Sequence, residues 1–497
     1  MRRPLALLLA AMLCLLACPA LADGVTIAGY DGGSTTSHDW ETNLFFSRME
    51  ERTGVGFSFQ QYTELADWTQ AKSAMLQDGA ELPEVLFKAE LTPAETQALY
   101  EAGKLIDLRP YLAEYAPNLT ALLQAHPDWE QAITLPDGAI VALPTVNQLQ
   151  NNNAMWINRT WLDALGLDVP TTAQELTEVL RAFRDRDPNG NGKRDEIPMA
   201  FLGMWDLRFL GHAFGLVADD YNLYLDADGQ VCTTLTKDEN RAFLTWLHQL
   251  WEENLLGGDG FTTSDTIRRI TDSKATITFG VIFAPTPLSL VPASAMSQYE
   301  LLMPMTYDGQ QVYRDFLGDL RRGSFALTSA CQDPAAMISW VDYLYSEEGS
   351  RLAQAGLEGV EYQFNSDGTW NWIAAAEEVT ATILPDATIS DGGSMPGLIS
   401  VDFQLAFDQS ETHAMVSQLC ALKEVSVSPM PTVYFTPEQQ SRVDAIQLDL
   451  GAYAEEAMIH FVTGDVPLND DTWTEFCQTV SDKGIDELIA LWQSVLP

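Results

Sequence analysis

The chain has few basic residues for its length. Of its 497 residues, 27 are lysine or arginine and 70 are aspartate or glutamate, which gives a net charge of −43. Binding to a nucleic-acid backbone requires a basic surface, so this deficit excludes a nucleic-acid-binding protein. The 13 tryptophans and a hydrophobic content of 46% indicate a folded globular protein. The length predicts two or three domains.

The patterns of cysteine and histidine that mark metal or catalytic sites are also missing. The six histidines have no ligand or triad spacing, and the chain has no G-x-S-x-G, H-E-x-x-H, P-loop or dinucleotide fingerprint. An enzyme is therefore not favoured, although the many acidic residues leave a glycoside-cleaving carboxylate pair open. Beyond residue 22, cysteines occur far apart and without C-x-x-C spacing, so one or two disulfides are the alternative to free thiols. The four cysteines concerned are Cys232, Cys331, Cys420 and Cys477.

Long hydrophobic runs are absent except at the N-terminus. Two arginines precede the apolar residues 5–16, which is typical of an export signal and too short for a membrane-spanning helix. Cleavage after Ala20-Leu21-Ala22, a small-x-small site, would make residues 1–22 a signal peptide. Alternatively, residues 15–18 resemble a bacterial lipobox, which would attach a lipid to Cys18. Both alternatives predict an exported protein, either extracellular or in the cell envelope.

Between residues 185 and 196, side-chain oxygens and glycines alternate, as in loops that wrap calcium. An EF-hand register would begin at Asp185. A register two residues later is favoured, because Gly192 occupies the EF-hand position of an aliphatic anchor and Pro198 argues against an exiting helix. A polar Asn-Gly turn that binds nothing is the other interpretation. The predicted ligands of a structural calcium are Asp187, Asn189, Asn191, the carbonyl of Lys193, Asp195 and Glu196.

Short apolar strands alternate with helices in the first part of the chain. This alternation predicts an α/β fold. The chain contains no internal repeat, and no linker is long enough to separate independent domains. We therefore expect two lobes between which the chain passes more than once. The strand candidates are 25–29, 82–87 and 138–144, and the helix candidates between them are 40–53, 68–75 and 92–102.

Several segments, in order along the chain, resemble one known family. They include M-W-I-N-R-T-W-L-D-A-L-G-L at 155–167, the calcium loop continuing to 198, W-V-D-Y-L-Y-S-E-E-G at 340–349 and G-L-E-G-V-E-Y at 356–362. They resemble the extracellular solute-binding proteins, family 1, of bacterial ABC importers. The branch that they resemble includes the alginate-oligosaccharide-binding proteins.

The resemblance implies an α/β fold of the two-lobed periplasmic-binding-protein type, with discontinuous lobes joined by hinge strands. Residues 23–143 with about 316–352 would form the N-terminal lobe. Residues 144–315 with about 353–497 would form the C-terminal lobe, which would carry the calcium loop at 187–196. A solute would bind in the interlobe cleft and be delivered, after hinge closure, to the membrane subunits of an ABC permease. The protein would act as a monomer.

The predicted solute is a carbohydrate or another small polar molecule. A sugar site needs flat aromatic rings with planar polar partners. A glycan-active exported enzyme and a peptide-binding transport receptor are the alternative functions. Tryptophans 161, 246 and 340 lie on apolar helix faces and are predicted to be core residues. The candidates for ligand contact are Asp31, Asp39, Trp40, Asn152, Trp156, Trp205, Asp206 and Tyr362.

Overall fold

The structure is a computed structural model that describes residues 24–32, 36–149, 153–262, 277–315, 318–390, 394–408 and 410–496. The predicted signal peptide, Cys18 and Asn152 lie outside the described residues. The strands, in chain order, are β1 Val25–Tyr30, β2 Phe57–Tyr62, β3 Val85–Phe87, β4 Leu143–Asn147, β5 Ala154–Asn158, β6 Ile197–Met199, β7 Leu223–Leu225, β8 Val231–Thr233, β9 Phe279–Ala284, β10 Tyr299–Leu301, β11 Tyr313–Arg314, β12 Leu320–Leu327, β13 Tyr362–Phe364, β14 Trp370–Trp372, β15 Gly397–Ile399 and β16 Ser426–Val427.

Helices account for much of the remaining described chain. Short 3-10 turns, at Arg208–Phe214, Pro287–Ser289, Ala293–Gln298 and Tyr343–Tyr345, and a π-helical turn at Val379–Ile383 connect some of them. The α-helices are Leu44–Thr53, Leu65–Met75, Pro93–Glu101, Arg109–Tyr115, Pro117–Ala125, Pro127–Ile133, Arg159–Leu165, Ala173–Asp185, Gly203–Leu207, Asp238–Glu252, Pro334–Asp342, Glu347–Ala355, Ala376–Glu378, Leu384–Ala387, Val401–Leu405, Ser410–Glu424, Pro437–Thr463, Asp470–Asp482 and Ile485–Gln493.

A six-stranded sheet organises the first lobe, in the order β15-β4-β12-β3-β1-β2. All of its strands are parallel to one another except β12, which is antiparallel to its neighbours β3 and β4. Trp340 lies in the core of this lobe and is 1% exposed, as predicted. Because only β12 is reversed, the carboxyl ends of the five other strands lie at one edge of the sheet.

A four-stranded sheet organises the second lobe, in the order β10-β5-β9-β6. Its strand β5 is antiparallel to β9 and β10, whereas β6 is parallel to β9. Trp161 is buried in the core of this lobe and Trp246 packs against that core, as predicted. The lobes therefore have separate cores, and the mixed α/β fold class is confirmed.

The connections between the two sheets differ from the expected boundaries. The first connection follows β4 and leads through residues 148–153 into β5, so residues 144–147 belong to the first sheet. The second joins β11 to β12. The third was expected at about residues 352–353, but helix Glu347–Ala355 packs Leu352 and Ala353 into the first core, and β15 still belongs to the first sheet. The third connection therefore lies between β15 and helix Ser410–Glu424.

Helix Ala173–Asp185 shows why the local sequence folds as predicted. Thr172 Oγ1 accepts a hydrogen bond from the backbone N of Glu175 at 3.2 Å, and the Glu175 carboxylate accepts from the Thr172 N at 3.2 Å. This capping box satisfies N–H groups that the first turn leaves without partners. The helix buries Leu180 and Phe183 against β6 and β9, and it ends at the oxygen-rich loop.

The structure also shows the state of the cysteines and the character of the helices. Each of the four cysteines beyond residue 22 is free, so no disulfide forms among them. Within the part of the chain that the structure describes, no helix has both the length and the apolar character needed to cross a membrane.

Candidate functional site

The strand directions place one edge of each sheet at the junction of the lobes. Strands β4 and β15 leave the first sheet for the second lobe at their carboxyl ends, and β12 enters at the same edge. In the second sheet, the carboxyl ends of β6 and β9 lie beside the start of β5. Loops after β1, β2 and β3 therefore face loops after β6 and β9. Ligands of α/β proteins bind at such carboxyl edges.

Trp205 lies at this edge of the second lobe. It belongs to the short helix Gly203–Leu207, which follows β6, and its side chain is partly exposed. Its Nε1 donates to Asp220 Oδ2 at 3.4 Å, and its ring meets the Phe209 ring edge-on, with the centroids 6.0 Å apart. An anchored but accessible ring is suited to packing against the C–H face of a sugar.

A buried polar network anchors Asp220 in turn. The guanidinium of Arg314 pairs with Asp220, and the backbone N of Arg314 donates to His212 Nε2 at 3.2 Å. Burial, together with the positive charge of Arg314, lowers the pKa of His212 to about 3, so the imidazole is neutral and accepts this bond. Sequence analysis missed this network, because its members belong to separate elements and form no motif.

Asp206 lies next to Trp205 but is 3% exposed. Its Oδ1 accepts from the side-chain N of Asn153 at 2.7 Å, and its Oδ2 accepts from the Leu202 N at 2.7 Å. Burial raises the pKa of this carboxyl to about 7, and the two hydrogen bonds oppose the shift. Asp206 therefore positions Asn153, which lies at the end of the first connection. A direct contact between Asp206 and the ligand was expected from the sequence.

A cavity of about 210 Å³ lies beside Asp206, between the ends of β6 and β9. The buried rings of Phe201 and Phe283 form part of its wall, and Asp259 also lies on the wall. Sequence analysis missed this cavity. One signal for it was present: G-G-D-G at 257–260 marks a close backbone approach, and a Cβ on Gly260 would lie 2.3 Å from the Phe201 ring.

In the first lobe, Asp31 lies inside the protein at the end of β1. Its carboxylate accepts from Trp40 Nε1 at 2.7 Å and from Lys88 Nζ at 2.5 Å, and it lies 3.1 Å from His38 Nδ1. Asp31 is 1% exposed, as is Trp40, so the expected ligand contacts are replaced by a buried cluster that supports the cleft edge. Asp39, also a predicted contact, is exposed in the same loop.

Two more predicted contacts are core residues in this structure. Trp156 is 1% exposed in the middle of β5, and its Nε1 donates to the Ala284 carbonyl at 2.9 Å. Tyr362 is 3% exposed and packs edge-on against Trp370 and Phe403 in an aromatic cluster of the first lobe. Neither ring presents a free face for stacking.

The predicted calcium loop folds around its own side-chain oxygens. The carboxylate of Asp187 accepts from the backbone N of Asn191 at 3.1 Å and of Gly192 at 3.0 Å. The Asp195 carboxylate accepts from the Asn191 side-chain N at 2.9 Å. Buried Glu196 Oε1 has no hydrogen-bond partner, and burial, with the nearby charges of Asp195 and Asp187, raises the pKa of Glu196.

These residues fit a hard cation, although carboxylates alone do not form the site. In the described residues, no group of three or more His, Cys, Asp or Glu side chains is arranged to hold a metal. The amides of Asn189 and Asn191 lie in sequence between the carboxylates, and calcium accepts amide and backbone carbonyl oxygens as ligands. A cation would supply the partner that Glu196 Oε1 lacks.

Comparisons with known proteins agree on one family. The family model of the bacterial extracellular solute-binding proteins matches residues 34–351. The fructooligosaccharide ABC transporter substrate-binding protein FusA of Streptococcus pneumoniae is 24% identical over 481 residues, which cover 92% of this chain and 87% of FusA.

Solved structures share the fold over nearly the whole chain. FusA in complex with kestose is 23% identical, with a TM-score of 0.73 over 95% of this chain and 98% of FusA. An extracellular solute-binding protein from Bifidobacterium longum subsp. infantis is 21% identical, with a TM-score of 0.76 over 95% and 97% of the two chains. The alginate-binding protein AlgQ2 is 20% identical, with a TM-score of 0.67 over 95% and 98%. At these identities the likeness shows a shared two-lobed fold.

Proposed function

We propose a transport function from the premise that the chain belongs to the bacterial extracellular solute-binding proteins. In this proposal the protein captures an oligosaccharide between its lobes and delivers it to the membrane subunits of an ABC importer. The observation that carries the proposal is the arrangement of the two sheets. Their carboxyl edges face each other, and the partly exposed ring of Trp205 lies at one of them.

The relatives support a carbohydrate as the solute. FusA is named for fructooligosaccharides and has a structure with kestose, and AlgQ2 is an alginate-binding protein. Trp205 offers this chain a ring for the apolar face of a sugar, and Asn153 offers an amide for its hydroxyls. A binding protein needs no catalytic group, so it would return its ligand unchanged.

We also propose that the loop 187–196 holds a structural calcium ion. Its oxygens and the unpartnered Glu196 Oε1 support this assignment. One solved FusA structure is of an EF-hand mutant, and the AlgQ2 structure lacks a calcium ion. The loop joins helix Ala173–Asp185 to β6, and β6 leads to Trp205. Calcium would therefore brace the second-lobe edge without contacting the solute.

Export would follow one of two routes, which differ in the N-terminus of the mature protein. Release after Ala22 would leave Asp23 as the first residue, whereas lipidation would leave a modified Cys18. Mass spectrometry of the protein recovered from its native host distinguishes the two products.

Titration calorimetry tests the transport proposal, with kestose, maltotriose, mannotriose and trialanine as probes. We expect saturable binding of a trisaccharide, a change in tryptophan fluorescence and no product in chromatography. Trp205→Ala should weaken binding by about tenfold or more, because a central aromatic anchor commonly contributes this much. The partly exposed Trp372 of β14 provides the control variant Trp372→Ala. Hydrolysis of the sugar would support an enzyme, and tighter binding of trialanine would support a peptide receptor.

A further inference from the structure

We propose that a short segment of the second lobe, residues 428–436, fixes the axis about which the two lobes close on an oligosaccharide. This segment, the strap, leads from β16 to helix Pro437–Thr463. Its Tyr434 anchors it in the first lobe and is therefore a positioning residue for binding. The inference rests on the proposed function and deepens it, because it specifies how the two facing edges come together.

Consecutive residues of the strap enter the cores of opposite lobes. Tyr434 is 7% exposed and belongs to a core cluster of the first lobe that also contains Leu99. The residues on either side of it, Val433 and Phe435, are buried in the core of the second lobe. Neighbouring Cα atoms are about 3.8 Å apart. The lobes therefore cannot separate at this point unless a side chain leaves its core.

Side chains of the first lobe also hold the strap backbone. Arg322 of β12 donates from Nη1 to the Val433 carbonyl at 2.9 Å, and its Cζ lies 4.5 Å from the centroid of the Tyr434 ring. Gln97, on a first-lobe helix, donates from Nε2 to the Phe435 carbonyl. A buried carbonyl that loses its partner is costly. Three consecutive strap residues are thus attached to the first lobe.

The second lobe holds the strap at both ends. At its start, the backbone N of Leu225 donates to the Pro429 carbonyl at 2.9 Å. At its end, Thr436 Oγ1 accepts from the Gln439 N at 3.3 Å and caps helix Pro437–Thr463. The strap therefore moves as part of the second lobe, and its middle remains attached to the first.

Open space beside the strap leaves room for rotation. Cavities of about 550 and 270 Å³ lie next to it, and each is lined by residues of both lobes. Thr134 of the first lobe and Ser494 of the second line the larger cavity, and Pro93 and Tyr221 line the smaller one. Because hinge motions concentrate at a few residues, an attachment point beside such gaps acts as a pivot.

The strap is connected to the candidate binding edge. Val427, which precedes it, pairs with Arg314 of β11, and Arg314 forms an ion pair with Asp220. Asp220 accepts a hydrogen bond from Trp205 Nε1 at 3.4 Å. The pivot and the ring thus belong to one connected set of contacts in the second lobe. Rotation about the strap therefore carries Trp205 towards the first lobe along a fixed path.

Two structures locate the axis: that of the free protein, and that of its complex with whichever of kestose, maltotriose and mannotriose binds best. We expect Tyr434 to stay buried in the first core in both. The contacts of Arg322 and Gln97 with the strap should also persist, while the carboxyl edges of the two sheets move closer together. A Tyr434 ring that leaves the first core on closure would overturn the proposal, and so would lobes that do not move.

Releasing the ring tests its effect on binding. In Tyr434→Ala the lobes should sample more arrangements, so the fraction competent to bind falls and the affinity for the same trisaccharide decreases by about tenfold. Tyr299→Ala is the matched control, because Tyr299 is 5% exposed but lies in the second core alone. The control should keep the affinity within about twofold. Calorimetry measures both at a temperature where circular dichroism shows folded protein.

Small-angle X-ray scattering without ligand separates lobe arrangement from a lost ligand contact. The free Tyr434→Ala protein should have a larger radius of gyration than the parent and the Tyr299→Ala control. Equal radii in all three proteins would contradict the role of Tyr434 as a pivot.

A second substitution leaves both cores intact. Arg322→Met removes the bond to the Val433 carbonyl and the cation above the Tyr434 ring, so the affinity should fall by about threefold or more. Its control is Arg109→Met, because Arg109 donates to the Gly138 carbonyl at 2.6 Å within the first lobe. Full affinity in both strap variants would overturn the proposal and leave sugar transport standing. Failure of the parent protein to bind any of the three sugars would overturn both.

Discussion

The behaviour of Asp206 follows from burial and not from its residue type. A carboxylate at the end of a strand is a natural ligand contact in sequence, but here both oxygens accept bonds from the protein. Burial raises its pKa from the ordinary 3.8 to about 7. The same distinction separates Asp31, which is paired inside the first lobe, from the exposed Asp39.

The raised pKa of Asp206 predicts how stability depends on pH. Between about pH 4 and 7 the folded protein keeps a proton that the unfolded chain has lost, so the free energy of unfolding decreases as pH rises through this window. Asp206→Asn removes this titration. The variant should gain stability relative to the parent between pH 4 and 8, by up to about 4 kcal/mol.

Denaturant unfolding of both proteins at several pH values measures this difference. Asn offers one oxygen where Asp offers two, and this adds a constant loss that does not change with pH. Contributions from His212, with a pKa of about 3, and Asp219, with a pKa of about 6, are present in both proteins and cancel. A difference in unfolding free energy that stays constant with pH would contradict the prediction.

Sequence reasoning could identify chemical types at these positions, but it could not determine their environment. The position of Trp205 after a strand suggested a ring at a strand end, and the structure shows this ring partly exposed there. Trp156 carries the same chemistry, yet its side chain is buried in the core of the second lobe. Burial depends on contacts between distant segments, and a single sequence does not display them.

At the scale of elements, the oxygen-rich loop links a helix to the strand that leads to the cleft edge. Backbone N–H groups of the loop donate hydrogen bonds to the side chains of Asp187 and Asn191, and these bonds define the turn. Glu196 directly precedes β6. Local order in this loop is therefore coupled to the position of β6. Short-range spacing determines such a loop, which explains why the sequence alone could suggest its chemistry.

Removing calcium should destabilise the protein if this loop is a metal site. We expect excess calcium to raise the melting temperature after treatment with EDTA, since a ligand at 100 times its dissociation constant adds about 2.7 kcal/mol to stability. Thermal unfolding in EDTA and in excess calcium measures the shift. No calcium-dependent shift would contradict the assignment.

Two variants determine the register of the ligands. Asp195 is a ligand only in the favoured register, so Asp195→Ala should abolish the calcium-dependent shift. Asp185 would be the first ligand only in the EF-hand register, and here its carboxylate pairs with Arg184 at 2.7 Å. Asp185→Ala should therefore keep the shift. The opposite result for the two variants would support the EF-hand register.

At the scale of the whole molecule, the connections between the sheets determine which segments meet. The alternation of strands and helices predicted the α/β class, because periodicity is local. The third connection was expected at about residue 352, and it lies further along the chain. Residues 397–399 form a strand next to β4 and keep the intervening chain on the first lobe. Strand pairing between such distant segments could not be read from the local pattern.

The second connection contains a charge cluster that should influence lobe movement. Lys423, on helix Ser410–Glu424 of the second lobe, donates to Asp315 at 2.5 Å and to Asp319 at 3.1 Å. Both aspartates lie between β11 and β12. Lys423→Met would leave two nearby carboxylates without their cation, and removing one partner of a largely buried pair is costly. We expect lower stability and a severalfold weaker affinity for the best trisaccharide.

Calorimetry and small-angle X-ray scattering measure both effects in the Lys423→Met protein. The weaker affinity should come with a smaller ligand-induced decrease in radius of gyration, because the connection would no longer hold one closed geometry. Lys483→Met is the matched control, since Lys483 pairs with Asp449 at 2.8 Å on the surface and such pairs contribute little. Equal effects of the two substitutions would show that the charge cluster has no special role in closure. An effect on stability alone would confine Lys423 to holding the fold.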